Sequence, residues 1–489
     1  MTKTLKHETM RGLFWSFFER IGQQGIQFLI TIILARLLLP EQFGLIAMLT
    51  IFIAVAQSFV DSGFGSALIQ KQDASHLDEC SIFYFNIMVG FLVAAVLFIA
   101  APWIAAFYRI PLLTPLARVL SLNLIINAFG VVHTALITKR IDFKAQMKVS
   151  VVAGILSGSI GVAMAYRGYG VWSLVAQSIA SNMFRTALLW SFLPWRPSWM
   201  FSWVSLRSMF SFGSKLLYSG LLDTIYNNLY LVVIGKMFSA TELGYYTRAA
   251  QTQLFPSAIL SSTVGRVTFP VFSSMQDDMA RLKRGTRKAV SSLAMVNFPL
   301  MIGLAVVAKP LVLVLLTDKW LPCVPYLQLL CVVGMLYPLH VINLNVLMAQ
   351  GRSDLFFRLE IYKKATITAA ILLTARWGII AMIYGQIATS VLAYYMNSYY
   401  TGRLISYPAS EQFKDFFPVL SLASLMGFGV FLAGYLPLQN NLALLLSQVS
   451  IGIILYISLC SFAKISSFVE IRSIAQDKYR SVCHRGDGY

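Results

Sequence analysis

Five polar residues, Glu19, Arg20, Gln23, Gln24 and Gln27, crowd into FFERIGQQGIQFLI (17–30), a stretch otherwise apolar that runs straight on into TIILARLLL. On a helix turning about 100° per residue they fall within an arc of about 140° and form one polar face. Two hundred residues later, Lys215, Ser219, Asp223 and Asn227 recur at a strict spacing of four, within an arc of about 120°. At that offset Gln23 overlays Asp223, and Gln27 overlays Asn227. A following apolar run adds Gln57 and Asp61, and its later counterpart carries Ser262 and Arg266; Arg118 and Arg185 are two further cations inside apolar runs.

Guanidinium groups hold phosphate through paired hydrogen bonds. Arg20, Arg118, Arg185, Lys215 and Arg266 outnumber Glu19, Asp61 and Asp223, so a cavity lined by these groups favours an anionic ligand. The expected substrate contacts are therefore Arg20, Gln23, Gln24, Gln27, Arg118, Arg185, Lys215, Asn227 and Arg266. A buried carboxylate titrates at raised pH, which makes Asp223 the leading candidate for binding a coupling ion, with Asp61 and Glu19 behind it. Plainer roles stand beside these. Cations near helix ends snorkel to the interface, amides glue helices together, and Asp61 suits a helix-end carboxylate paired with a loop cation.

The elements that must position these residues are membrane helices. Of 489 residues, 57% are hydrophobic and 12% charged, with a mean hydropathy of +0.70. Soluble domains carry about 25% charge. Apolar runs of about 20 residues, the length that spans a bilayer, recur from end to end. Fourteen spans are expected, near 13–38, 42–66, 81–106, 113–137, 149–166, 170–193, 210–235, 246–270, 289–316, 323–348, 359–375, 378–401, 416–435 and 441–463. Short turns are expected at Gly168–Gly170 and at Arg376–Gly378.

The 39 cations are distributed unevenly: 26 fall in one set of alternating connections and 8 in the other. The positive-inside rule then puts both termini in the cytoplasm. The larger set includes Lys363, and the smaller includes Arg248 and Lys309.

A repeat runs through the chain. ARLLLPEQFG (35–44) aligns with GKMFSATELG (235–244), pairing Gly44 with Gly244, and Ser62 and Gly65 pair with Ser262 and Gly265. Farther on, YGVWSLVAQSIA (169–180) resembles WGIIAMIYGQIA (377–388). Each copy holds six spans, an even number, so both share one orientation, an arrangement that places a site between the halves in transporters. The expected architecture is all-α and polytopic. A lobe over 1–200 and a lobe over 201–405 surround a central cleft, and two extra helices and a basic tail occupy 406–489.

Several classes are disfavoured. The net charge of +19 lies in connections between spans, and no nucleic-acid-binding motif accompanies it. The five cysteines, Cys80, Cys323, Cys331, Cys460 and Cys483, show neither disulfide nor metal spacing, so no metal or cofactor is expected. There is no GxxxxGK[ST] sequence for ATP, and no GxSxG or HExxH. A membrane enzyme is not expected. The basic N-terminus, MTKTLKHETMRG, precedes a span without a small-residue cleavage site and is expected to be retained.

ARLLLPEQFGLIAM, FVDSGFGSALIQK (59–71) and TFPVFSSMQDDMARLKR (268–284), with LQLLCVVGML (327–336), resemble the polysaccharide-transporter branch of the MOP exporter superfamily, in particular its Wzx-type, colanic-acid-exporter-like members. The resemblance implies flipping of undecaprenyl-pyrophosphate-linked oligosaccharide units across the bacterial inner membrane by alternating access. An H+ or Na+ gradient would drive it, in exopolysaccharide or O-antigen synthesis, with the polysaccharide polymerase machinery as a partner. It also implies that the first, second, seventh and eighth spans line the cleft, which makes Arg20 and Arg266 plausible there. A multidrug-type antiporter of the same superfamily is the alternative; it would want an acidic cavity.

Overall fold

Helix starts and stops follow the local chemistry of the chain. The computed structural model describes Gly22 and residues 24–61, 63–71, 73–140, 143–465 and 468; within helices, the side chains of residues 143, 263 and 266 are outside the description. Among the described residues there is no strand. The protein is an all-helical, multi-span membrane protein, and among the described residues the helices fall where spans are expected. Among the described residues eight helices are long and apolar enough to cross a membrane by themselves, or nine if one bent pair counts as a single span.

The first of two compact units, Met1–Thr247, begins with α1 (Gln24–Leu37) and α2 (Pro40–Asp61). The short α3 (Phe64–Gln70) leads to α4 (His76–Tyr108). Ser75 starts α4 with a capping box, accepting from the Asp78 N–H at 3.2 Å while its own N–H donates to the Asp78 carboxylate at 3.0 Å. The next span is broken into α5 (Leu113–Leu120), α6 (Leu122–Ala128) and α7 (Val131–Lys139), bent by 42° at the last junction. α8 (Phe143–Tyr166) and α9 (Val171–Phe192) pair across the expected tight turn, where Gly168 and Gly170 take φ of +82° and +57°. A side chain rarely adopts such values, so glycine makes the turn possible. α10 (Trp203–Met237) lies along α2, α3 and α4. α11 (Ala240–Ser273) begins in this unit and continues into the next.

Lipid supplies no hydrophobic drive between helices, so close packing has to come from small residues. Just before α1 Gly22 meets Val151, and along α1 Ile26 meets Gly154 and Ile30 meets Gly158, each pair three or four residues on from the last. A methyl group on Gly158 would overlap the Ile30 side chain.

The second unit, Arg248–Tyr489, is built on α12 (Met279–Val306), which packs against α14 (Val324–Ala349) and α17 (Ala409–Ala433). Asp278 caps α12, accepting from the Arg281 N–H at 2.9 Å. α13 (Ala308–Leu315) and a 3-10 turn over Asp318–Cys323 connect α12 to α14. α15 (Ser353–Thr374) and α16 (Ile379–Ile405) follow, separated by the expected turn with Gly378 at φ +97°. α18 (Asn441–Phe462) packs on α17.

Candidate functional site

α10 has two faces. Leu206, Met209, Gly213, Ile234 and Gly235 are buried, while Lys215, Ser219, Asp223 and Asn227 all point outward and are exposed. The i, i+4 spacing that suggested a stripe therefore makes one, about 18 Å long over twelve residues. Lys215 has no carboxylate partner among the described residues, so the stripe presents an uncompensated ammonium beside amide, hydroxyl and carboxylate groups. Thr224, one residue round from Asp223, reaches the other way and shares a hydrogen bond of 3.2 Å with Ser58 of α2. That bond helps fix the rotation of α10 about its axis.

α2 carries the second polar group of the first unit. Gln57 donates to Asp61 at 2.9 Å and accepts from Asn127 of α6 at 3.0 Å. Arg185 of α9 is the cation whose charge acts on the Asp61 carboxylate. The structure thus brings together Asp61 and Arg185, two residues 124 positions apart that sequence reasoning had placed on different candidate lists. Asn127, missed in the sequence, is the amide that ties Gln57, and through it Asp61, to α6. Beside it, Asn182 donates to Asn123, which donates to Ser178, each at 3.0 Å, tying α6 to α9. This favours a structural share in the role of these amides. Arg118 stands apart from this group, with its guanidinium carbon 4.7 Å from the centre of the Phe98 ring, a cation–π contact.

On α1, Gln27 is exposed, whereas the Gln24 carbonyl oxygen is buried without a hydrogen-bond partner among the described residues. Glu19, Arg20 and Gln23 lie outside the described residues. Arg266 lies on α11, but its side chain is outside the description.

The repeat-related glycines meet at one place. A Cβ on Gly44 would clash with the Ala240 carbonyl, and a Cβ on Gly244 would clash with the Pro40 carbonyl. The starts of α2 and α11 therefore cross backbone to backbone, with each copy of the motif donating its glycine to the other. Lys236 closes the same end, donating to the Phe107 carbonyl with its ammonium 4.5 Å from the Phe107 ring centre.

Other polar groups escaped the sequence reading. Arg248, expected in a connection, is 5% exposed inside α11, 5.5 Å from the Trp320 ring centre. Lys363, also assigned to a connection, lies in α15 and pairs with Glu360. Near them His340 contacts Ser390 at 3.3 Å and Asn397 at 3.2 Å. In the second unit the carbonyl oxygen of Gln412 accepts from Tyr394 at 2.6 Å, Asn343 at 3.1 Å and Ser398 at 3.3 Å. Its amide donates to Asn343 at 3.0 Å and to the Tyr407 carbonyl at 3.1 Å. Gln412, Asn343 and Ser398 are fully buried, so this network is glue between α14, α16 and α17. The four described cysteines are free and buried, and no cluster of three or more His, Cys, Asp or Glu suited to a metal occurs among the described residues.

Comparison with known proteins agrees with this architecture. The profile of a family described as polysaccharide biosynthesis protein matches residues 33–325. The teichuronic acid biosynthesis protein TuaB of Bacillus subtilis is 30% identical over 421 residues, covering 83% of this chain and 85% of TuaB. The lipopolysaccharide biosynthesis protein WzxC of Escherichia coli is 28% identical over 404 residues, covering 80% and 81%. Among solved structures, a lipid II flippase MurJ in an inward closed conformation superposes with a TM-score of 0.75 at 13% identity, covering 93% of this chain and 98% of that one. An inward-facing multidrug resistance MATE transporter of the MOP superfamily gives 0.63 at 13% identity, with coverage of 78% and 95%. At such identity the structural likeness speaks for the fold. The sequence matches show that this chain belongs to the family described as polysaccharide biosynthesis protein, and its fold is similar to those of the MurJ and MATE transporters.

Proposed function

We propose that the protein is a flippase for undecaprenyl-pyrophosphate-linked oligosaccharide units, carrying them across the bacterial inner membrane for exopolysaccharide or O-antigen synthesis. The observation that carries this reading is the exposed stripe Lys215, Ser219, Asp223 and Asn227 on a helix of a membrane protein. Charged side chains within a span are costly in lipid and face a wet path instead. A stripe mixing an ammonium with amide and hydroxyl groups suits a ligand that carries phosphate at one end and sugars beyond it.

In this reading Lys215, with Arg20, Arg185 and Arg266, takes the pyrophosphate, and Asn227, Gln23, Gln24 and Gln27 meet the sugars. Arg118, engaged with a ring, serves the outer part of the path. Asp223 binds the coupling H+ or Na+, with Asp61 and Glu19 as secondary groups. Both termini are cytoplasmic, the chain alternates between inward- and outward-open states, and the polysaccharide polymerase takes the product. The polyprenyl tail stays in lipid throughout.

The reading is tested by reconstituting the protein in liposomes with a fluorescent lipid-linked oligosaccharide and measuring the fraction that becomes accessible on the opposite face. Translocation above protein-free liposomes is expected, and its loss in Arg266→Glu and Lys215→Glu at normal protein levels. Wild-type rates in both variants sink the pyrophosphate assignment. No translocation by the native protein under any ion gradient sinks the function.

A further inference from the structure

At the end of the second unit remote from the basic start of α12 lies a cavity of about 570 Å³. It is walled by the end of α12 and by α13 and α14 on one side, and by α17 and α18 on the other. On α12 the cavity-lining Ala305 and Val306 lie about 30 Å along the axis from the Arg281–Lys288 cluster, roughly the thickness of a bilayer's hydrocarbon core. The cavity thus opens at the opposite membrane surface from that cluster.

Its lining is unusual for a membrane-facing surface. Lys309, Gln328, Tyr435, Asn441 and Gln448 stand among apolar walls that include Phe431 and Leu444. Lys309 is exposed and has no carboxylate partner among the described residues. Gln328 donates to the Ala305 carbonyl at 3.2 Å, which holds its side chain at the rim. Gln448 is 3% exposed; its amide donates to the Val430 carbonyl at 3.1 Å, while its carbonyl oxygen has no hydrogen-bond donor among the described residues. A buried acceptor left unmatched costs free energy, so the site lacks a donor. Gly434 keeps the wall open, since a Cβ there would stand 2.9 Å from the Phe431 carbonyl oxygen and 3.0 Å from the Gln448 amide nitrogen.

We propose that this cavity is a binding site for an anionic glycerophospholipid with a hydroxylated headgroup, of the phosphatidylglycerol type, in the leaflet opposite the basic cluster. One cation matches one phosphodiester charge. The headgroup hydroxyls supply the donor that Gln448 lacks, and the acyl chains lie along Phe431 and Leu444. A zwitterionic ethanolamine head would bring its ammonium toward Lys309 and is disfavoured by repulsion. A water-soluble phosphate would gain only an exposed ion pair, which is weak in water, whereas a lipid adds burial of its chains. The site gives the two helices beyond the repeat, α17 and α18, a role in lipid recognition. It is separate from the stripe on α10 and does not depend on the substrate assigned above.

Native mass spectrometry of the full chain, titrated with phosphatidylglycerol, phosphatidylcholine, phosphatidic acid or glycerol phosphate, tests the proposal. The native protein is expected to retain one phosphatidylglycerol about tenfold more strongly than phosphatidylcholine, the worth of one charge-assisted hydrogen bond. Lys309→Gln should erase that preference and Lys309→Arg keep it. Gln448→Leu should lose the preference for phosphatidylglycerol over phosphatidic acid, which lacks headgroup hydroxyls. Equal retention of phosphatidylglycerol and phosphatidylcholine overturns the proposal, as does retention unchanged in both Lys309→Gln and Gln448→Leu. Competition by glycerol phosphate as strong as that by the lipid reassigns the cavity to a soluble anion and overturns it too. Displacement of phosphatidylglycerol by a lipid-linked oligosaccharide, at equal concentration, overturns it in favour of the transport substrate. Translocation in liposomes should persist in Lys309→Gln, so failure here is distinguishable from failure of the flippase reading.

Discussion

The stripe on α10 and the network around Gln412 use the same kinds of side chain in opposite ways. Around Gln412, amides and hydroxyls are buried, the glutamine carbonyl accepts three hydrogen bonds, and partners come from α14, from α16 and from Tyr407 just before α17. On α10, Lys215, Ser219, Asp223 and Asn227 are exposed along one line, and the helix is held instead by its other face. Within one membrane protein, polar residues on spans thus divide into those buried against one another and those exposed along a helix face. Residue type does not separate the two groups; burial does.

Gln412→Leu should be the most damaging break on the closed side. It leaves the Tyr394 and Ser398 hydroxyls and an Asn343 amide without their acceptor, a loss of about 2–3 kcal/mol. Thermal unfolding of the purified protein in detergent measures it, and an unchanged midpoint would show that these bonds are not glue. Gly44→Ala should come next, at about 2 kcal/mol, because the added methyl must push the Ala240 carbonyl aside. Gly220→Ala on the open helix, with nothing within 4 Å of the added methyl, should be neutral or slightly stabilising in the same assay.

Lys283→Gln removes a half-exposed pair with Glu411, 2.8 Å long, and should cost at most about 1 kcal/mol, lost in high salt. Asp223→Asn should also change unfolding little, within about 0.5 kcal/mol, since the side chain is exposed and the substitution keeps its shape. Its effect belongs to transport: the response to a pH or Na+ gradient should weaken in liposomes. A fall in stability matching that of Gln412→Leu would move Asp223 from the open group to the closed one, and an unchanged gradient response would end its candidacy as the coupling group.

Much of this was legible in the chain. The spans, the tight turns at Gly168–Gly170 and Gly378, and the stripe on α10 all follow from local rules, because helix periodicity and bilayer thickness act on neighbouring residues. The repeat announced Gly44 and Gly244 as equivalent. Only the fold showed that each packs on the other's motif. Lys363 and Arg248 were misplaced in connections because a lone cation near a span boundary reads the same whether it snorkels or is buried against a partner.

The sequence by itself determined the class of the protein, its order of spans and the face of each helix that is polar, since those depend on composition and on a period of 3.6 residues. The tertiary structure decided what stands opposite each face. Gln412 meets Asn343 across 69 residues, and Asp61 meets the charge of Arg185 across 124, distances over which no local pattern carries information. It also decided that the stripe of α10 stays exposed, because α2, α3 and α4 take up the opposite side of that helix.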